Sequence, residues 1–215
     1  MRCRERGAGR FLRRHSVRVR TARRHHSLDR ARDRNAGESI VKGRSLFVLG
    51  GARSGKSRYA QSRTEETGLT RLFIATAQAF DGEMEDRIAH HRQERGGAWK
   101  TIEAPIHLAP AIRENAAADT VLLIDCLTLW TSNLMLAGFD IAAATELLTD
   151  AIADAHGPVI LVSNEVGLGI VPDNTLARRF RDAAGIVNQR VAAAVDEVQF
   201  LVSGLPIAVK QKSRG

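Results

Sequence analysis

An α/β fold built on a mostly parallel sheet is what this sequence predicts, and three observations predict it. Short apolar runs rich in strand formers alternate with longer stretches of helical period. One such run leads straight into Gly50-Gly51-Ala52-Arg53-Ser54-Gly55-Lys56-Ser57, which fits the phosphate-binding pattern G-x-x-x-x-G-K-[ST]. Polar residues stand just after successive strands, at the edge where open α/β sheets gather ligands.

Taken in order, Ser45 to Leu49 reads as an apolar strand and Arg58 to Arg63 as the opening of a helix, so strand, glycine loop and helix follow in the required order. Arg71 to Thr76 reads as a second strand. Asp81 to Arg95 is helical by period, with Met84, Ile88 and His91 on one stripe, and Gly96-Gly97 ends it. Leu108 to Asn115 is a short helix, and Thr120 to Ile124 is a near-continuous apolar strand of the kind buried on both faces. A helix over Ile141 to Ala155, a strand over Pro158 to Ser163 and a long helix over Leu176 to Ala194 follow. Glu197 to Val202 and Ile207 to Val209 read as closing strands joined through Gly204-Leu205-Pro206. The pattern is that of a P-loop NTPase-type, RecA-like domain over residues 45–215. Its mostly parallel sheet carries helices on both faces and an antiparallel closing strand at the C-terminus.

With 215 residues, 44% of them hydrophobic, the chain can bury a core for one domain of that kind. The net charge of +8 is unevenly placed. Residues 1–44 hold fourteen arginines and one lysine against four acids, a net +11, which leaves −3 on the remainder. The basic segment has few aliphatic residues and no sustained period, so it reads as a disordered extension that the fold does not need. A polybasic arm for nucleic acid or acidic lipid, and an Arg-rich transit peptide, are the competing readings. The two cysteines, Cys3 and Cys126, give neither a disulfide framework nor a zinc cluster, which fits a reducing cytoplasm. No apolar run approaches the roughly 20 residues a membrane span requires.

The chemistry begins at the glycine loop. Glycines at 50, 51 and 55 let peptide N–H groups approach phosphate oxygens, and the following helix adds its positive end. Lys56 would neutralise the β- and γ-phosphates, and the Ser57 hydroxyl would ligate Mg²⁺. Asp125 ends an apolar run, where a P-loop protein keeps the acid that holds Mg²⁺; the alternative is a cap for Thr128 to Asn133. On the helix expected over 81–95, spacing of four puts His91 between Arg87 and Arg95. Flanking cations keep an imidazole neutral, as a nucleophile requires, and would hold a phosphate beside it; a solvated charged face explains the same spacing. Asn164 to Pro172 is a shaped loop with two glycines. Arg178, Arg179, Arg181 and Asp182 crowd one helix that carries Gly185 inside it, at a cost near 1 kcal/mol that a close backbone contact or a subunit interface would explain.

These segments resemble the bifunctional adenosylcobinamide kinase / adenosylcobinamide-phosphate guanylyltransferase family of cobalamin biosynthesis. The stretches that carry the resemblance are Gly50 to Arg58, Ile74 to Ala77, Glu83-Met84 with Arg87-Ile88 and His91 to Arg95, Leu123 to Trp130 with Asn133, Ser163 to Gly167 with Pro172, and Phe180-Arg181-Asp182 with Gly185 and Asn188-Gln189. They run in order from about Leu46 to the C-terminus, and the basic extension is the only departure. The resemblance implies phosphorylation of the aminopropanol hydroxyl of adenosylcobinamide by ATP or GTP. It then implies transfer of GMP from GTP to that phosphate through a GMP–histidine intermediate, giving adenosylcobinamide-GDP and pyrophosphate. It makes His91 the guanylylated residue, with His90 its adjacent rival. It puts GTP contacts at the glycine loop, Ala75, Thr76, Ala77, Arg92, Gln93, Glu94, Arg95, Glu103 and Asp125. It implies a homo-oligomer, a trimer or larger ring, with small-molecule substrates and no nucleic acid. The other class to weigh is a different P-loop nucleotide kinase or NTPase whose basic arm binds nucleic acid, with affinity falling steeply as salt rises. A switch GTPase would need an N-K-x-D segment, which is absent from the sequence.

Overall fold

The computed structural model describes residues 45–77 and 99–211. The basic segment, the helix expected over Asp81 to Arg95, and with it His91, Arg92, Gln93, Glu94 and Arg95, lie outside the described residues.

Among the described residues seven strands form one sheet: β1 (Ser45–Gly50), β2 (Thr70–Ala75), β3 (Trp99–Glu103), β4 (Thr120–Asp125), β5 (Val159–Asn164), β6 (Glu197–Val202) and β7 (Leu205–Lys210). Their order across the sheet is β3-β2-β4-β5-β1-β6-β7, and every pairing is parallel except that of β6 with β7. The central strands β1, β4 and β5 are the apolar runs of the sequence, buried on both faces. Among the described helices are α1 (Lys56–Glu65), α2 (Leu108–Asn115), α3 (Leu127–Leu136), α4 (Ile141–Ala153) and α5 (Thr175–Ala194).

Alternate residues of each strand feed opposite layers, as a pleated backbone requires. Leu46, Val48, Leu123, Ile160 and Val162 face Ala60 of α1. Phe47, Ile124 and Leu161 face the other way, toward Leu108, Trp130, Leu148 and Val187 of the remaining helices. Asp140 caps α4 by accepting from the N–H groups of Ala142 at 2.8 Å and Ala143 at 3.1 Å.

Three elements depart from the sequence reading. α3 is a ten-residue helix where the sequence reading has only a segment, Thr128 to Asn133, after Asp125. β3 goes unread there because Trp99-Lys100-Thr101-Ile102-Glu103 is half polar; it is an edge strand with one neighbour, β2, and needs only partial burial. The closing hairpin turns at Ser203-Gly204, two residues earlier than expected, where both residues have positive φ (51° and 83°), the geometry of a two-residue hairpin loop. Pro206 then falls within β7, which tolerates a missing N–H because it is the outer strand.

An ion pair ties α1 to β6. Arg63, 5% exposed, makes a bidentate contact to Glu197 (Nη1–Oε1 3.2 Å, Nη2–Oε2 3.1 Å) and donates to the Tyr59 hydroxyl at 2.6 Å. Burial works most strongly against the guanidinium charge, but the hydrogen bonds and charges of Glu197 and Tyr59 together outweigh it and raise the Arg63 pKa. Glu197→Ala removes the bidentate partner and leaves the buried guanidinium only the partly exposed Glu66 carboxylate, 3.9 Å from Nε, so the expected loss is about 3 kcal/mol, or a fall of about 6–12 °C in Tm. The double replacement Arg63→Met with Glu197→Leu loses less than the single one. Urea denaturation of both variants checks this, and a double variant weaker than Glu197→Ala would contradict it.

Candidate nucleotide site

The strand registers align the ends of the parallel strands along one edge of the sheet. Ala75 of β2 lies level with Glu103 of β3 on one side and with Asp125 of β4 on the other. Gly50 of β1 lies level with Asn164 of β5 and Leu201 of β6. At the usual strand spacing Asp125 stands about 10 Å across the sheet from β1, and Glu103 about 19 Å. The sequence-predicted residues within the described part therefore share one edge, with the glycine loop near one end and Glu103 at the other.

The loop is built by its neighbours as much as by its own sequence. A Cβ on Gly50 would lie 2.8 Å from Leu201 O and 2.5 Å from Ser54 Oγ. Gly55, the N-cap of α1 with φ 92°, would bring a Cβ to 3.2 Å from Gly204 Cα. A Cβ on Gly51 would meet nothing within 4 Å, so that position is open on the loop's outer side. The β6–β7 turn buttresses the loop, Gly204 N–H donating to Ser54 O at 2.8 Å. Lys56 is buried along its stem, and its Nζ donates to Gly51 O at 3.1 Å, which holds the ammonium against the loop. Ser54 Oγ is buried without a partner. Ala52 and Arg53 are exposed, Arg53 with φ 55°.

Behind Asp125 the backbone is fixed by Thr76, which is fully buried. Its hydroxyl accepts from Cys126 N–H and donates to Cys126 O, both at 2.8 Å. Asn133 Nδ2 donates to Thr76 O at 2.8 Å and Pro105 O at 3.0 Å, joining the segments after β2, β3 and β4. With its hydroxyl so used, Thr76 holds the Asp125 strand end in place, and Ala77 is the member of the 75–77 trio that is partly open. Asp125 does not cap α3: the N-cap is Cys126, with no side-chain cap bond. Burial, and then the Asp125 carboxylate beside it, push the Cys126 thiol up to about 11, so this cysteine stays protonated and inert.

Sequence reasoning did not pick out Thr128 and Ser163 as a pair. Their hydroxyls meet at 3.1 Å, and Thr128 Oγ1 accepts from Asn164 N–H at 2.7 Å, which pins the end of β5. Asn188 donates to Asn164 O at 3.1 Å from α5. No single residue's type reveals such a contact; it exists only once α3 and β5 pack. Arg178 and Arg181 are engaged within the chain, Arg178 on the carbonyls of Pro172 and Asp173 and Arg181 on Asp182. Arg179 is exposed. Gly185 meets no close neighbour, so the contact that would have explained it is absent among the described residues.

Ser57 and Asp125 are both partly open at this edge and offer hard oxygen donors, a hydroxyl and a carboxylate. That pair suits Mg²⁺, which keeps waters and phosphate oxygens for its remaining positions. Among the described residues no three His, Cys, Asp or Glu side chains cluster to cage a metal by themselves.

Comparison with known proteins matches residues 46–209 to the cobinamide kinase / cobinamide phosphate guanyltransferase family. The chain belongs to this family. It is 48% identical over 166 residues to the bifunctional adenosylcobalamin biosynthesis protein CobP of Pseudomonas aeruginosa, covering 76% of this chain and 96% of that one. It is 43% identical over 180 residues to CobU of Salmonella typhimurium, covering 77% of this chain and 99% of the relative. This cobinamide kinase / cobinamide phosphate guanyltransferase family member is therefore an enzyme of cobalamin biosynthesis with a P-loop nucleotide site. Among solved structures, the fold is similar to the flagellar accessory protein FlaH of Methanocaldococcus jannaschii (TM-score 0.51, 13% identity, 84% of each chain). It is also similar to the PH0250 protein of Pyrococcus horikoshii (TM-score 0.53, 8% identity, 82% of this chain and 91% of that one). Both likenesses concern the fold alone. No helix among the described residues is long and apolar enough to cross a membrane.

Proposed function

We propose that this enzyme phosphorylates adenosylcobinamide with ATP or GTP and then transfers GMP from GTP to adenosylcobinamide phosphate, giving adenosylcobinamide-GDP and pyrophosphate. The observation that carries the reading is the family match over 46–209 on a chain whose glycine loop is held open at Gly51 with Lys56 set against it.

In the first reaction the aminopropanol hydroxyl attacks the γ-phosphorus. The bond to the β-phosphate oxygen breaks, and the hydroxyl proton passes to solvent or a nearby base. The loop N–H groups and Lys56 meet the charge on the transferring group. In the second, an imidazole nitrogen of His91 attacks the α-phosphorus of GTP and pyrophosphate leaves. A phosphate oxygen of the acceptor then attacks the same phosphorus and releases the imidazole. Mg²⁺ held by Ser57 and Asp125 would screen phosphate charge in both reactions. Ala75 to Ala77 and Glu103 line the rest of the edge, so the nucleoside would extend from the loop toward β3. Arg92, Gln93, Glu94 and Arg95 would contact the nucleotide beside His91. The enzyme works in the cytoplasm as a homo-oligomer, trimer or larger ring, and Gly185 beside the half-exposed Ile186 offers a place for a neighbouring copy.

A coupled assay tests the whole reading. Incubating the enzyme with adenosylcobinamide, GTP and Mg²⁺ should release pyrophosphate in step with a corrinoid that carries the GTP α-phosphorus. GTP consumption that is indifferent to adenosylcobinamide would sink the proposal.

A further inference from the structure

The loop that leaves β5 shows apolar side chains to solvent while being held in one shape. At its root Glu165 N–H donates to Gly50 O at 3.0 Å, and Glu165 Oε1 accepts from Gly167 N–H. At its exit Arg178 donates to the carbonyls of Pro172 at 3.0 Å and Asp173 at 2.6 Å, while Asn174 caps α5 through Ala177 N–H. Between these brackets Leu168 is 81% exposed, Ile170 96% and Val171 62%, and Leu176 in the first turn of α5 is 55% exposed. A scattered exposed leucine needs no explanation. A contiguous apolar tip, fixed at both ends beside a nucleotide loop, marks a surface that binds something.

Position decides what. The root is hydrogen-bonded to the residue where the phosphate loop begins, which places this loop next to the phosphate loop at the same edge of the sheet, within reach of an acceptor that reacts with a phosphate there. Ile170 is five residues from Glu165 and stays within about 18 Å of it. A small acceptor would never touch that tip. The acceptor in the proposed function carries its reacting hydroxyl on a short arm of a wide, rigid macrocycle rimmed with methyl groups and amides. We propose that Leu168, Ile170, Val171 and Leu176 seat the corrinoid ring. Their side chains cover its methyl rim, and the loop backbone, open around Gly169, meets its amides. This inference rests on the reading that the acceptor is cobinamide, and it adds where that acceptor lies.

The test is the double variant Leu168→Ser with Ile170→Ser, assayed for phosphorylation of cobinamide at saturating GTP. The KM for cobinamide should rise at least tenfold while the KM for GTP moves less than twofold, and the melting temperature should hold because both side chains face water. Leu147→Ser, at a 53% exposed position on α4, is the comparison and should alter neither KM. A cobinamide KM within twofold of wild type overturns the proposal. So does a KM for GTP that rises in step with it. Dissociation of the assembly in sedimentation velocity, with the cobinamide KM restored at protein concentrations that reassemble it, would make the loop a contact between copies and overturn the seat. If the wild-type enzyme turns over no cobinamide, the function itself fails along with the seat, and that result is seen before any variant is made.

Discussion

Lys56→Ala is expected to abolish both transfer reactions while leaving the fold intact. Its ammonium is held by Gly51 O at 3.1 Å, at the end of a buried stem, and so is fixed in place before any substrate arrives. A cation preorganised in this way stabilises charge on a transferring phosphoryl group without reorganisation at the moment of reaction, and removing one such group typically costs about 10²–10³ in kcat. Two considerations push the loss toward or beyond the upper figure. Lys56 is the only lysine or arginine among the buried residues of the loop, and in the proposed function both reactions move a phosphorus of a triphosphate bound there. Lys56→Arg should not restore the rate, because a planar guanidinium does not fit where a compact ammonium points back at a carbonyl. Stability should hold or rise slightly, since the variant removes a buried charge. Measuring ADP or GDP formation and pyrophosphate release under saturating substrates decides it. Activity within tenfold of wild type in either reaction would remove Lys56 from the site.

What the sequence discloses and what it hides follow from how local each constraint is. The glycine loop is legible because its requirements sit within eight consecutive residues, and the strands β1, β4 and β5 because burial on both faces leaves apolar runs. α3 is harder. Leu127, Thr128, Trp130, Thr131, Asn133 and Leu134 are all buried, so the helix shows no polar face and no amphipathic period, and only a short segment near Thr128 to Asn133 stands out in the sequence. The Thr76–Cys126 lock and the Thr128–Ser163 pair are tertiary contacts between residues 50 and 35 positions apart, and nothing in either partner's neighbourhood announces the other. Asp125 is ambiguous for a local reason: an acid just before a helix suits a cap as well as a metal, and only the helix boundary, with Cys126 in the cap position, separates the two. Glu103 stands out in the sequence only through the family resemblance, and the register row through Ala75 supplies the reason it shares an edge with Asp125.

His91→Ala should separate the two activities. With α-labelled GTP, the wild-type enzyme is expected to acquire label that is lost in acid and kept in base, the behaviour of a phosphorus–nitrogen bond to imidazole. The His91→Ala variant should acquire none, and its guanylyl transfer should fall below detection. Phosphorylation of adenosylcobinamide by ATP should persist, because that step moves the γ-phosphoryl group at the glycine loop and needs no nitrogen nucleophile. The split is what makes the test specific: damage to the nucleotide site would depress both activities together, as is expected of Lys56→Ala. His90→Ala serves as the neighbour control and should label normally, since on the helix that the sequence predicts over 81–95 successive side chains would point about 100° apart. The flanking arginines supply a graded version. On the helix that the sequence predicts over 81–95, Arg87 and Arg95 flank His91, so Arg87→Ala and Arg95→Ala should each slow labelling, because cations there would hold the α-phosphate against a neutral imidazole. Label retained by His91→Ala and lost by His90→Ala would move the nucleophile by one position. Label retained by both would overturn the histidine intermediate and leave direct attack of the acceptor phosphate on GTP.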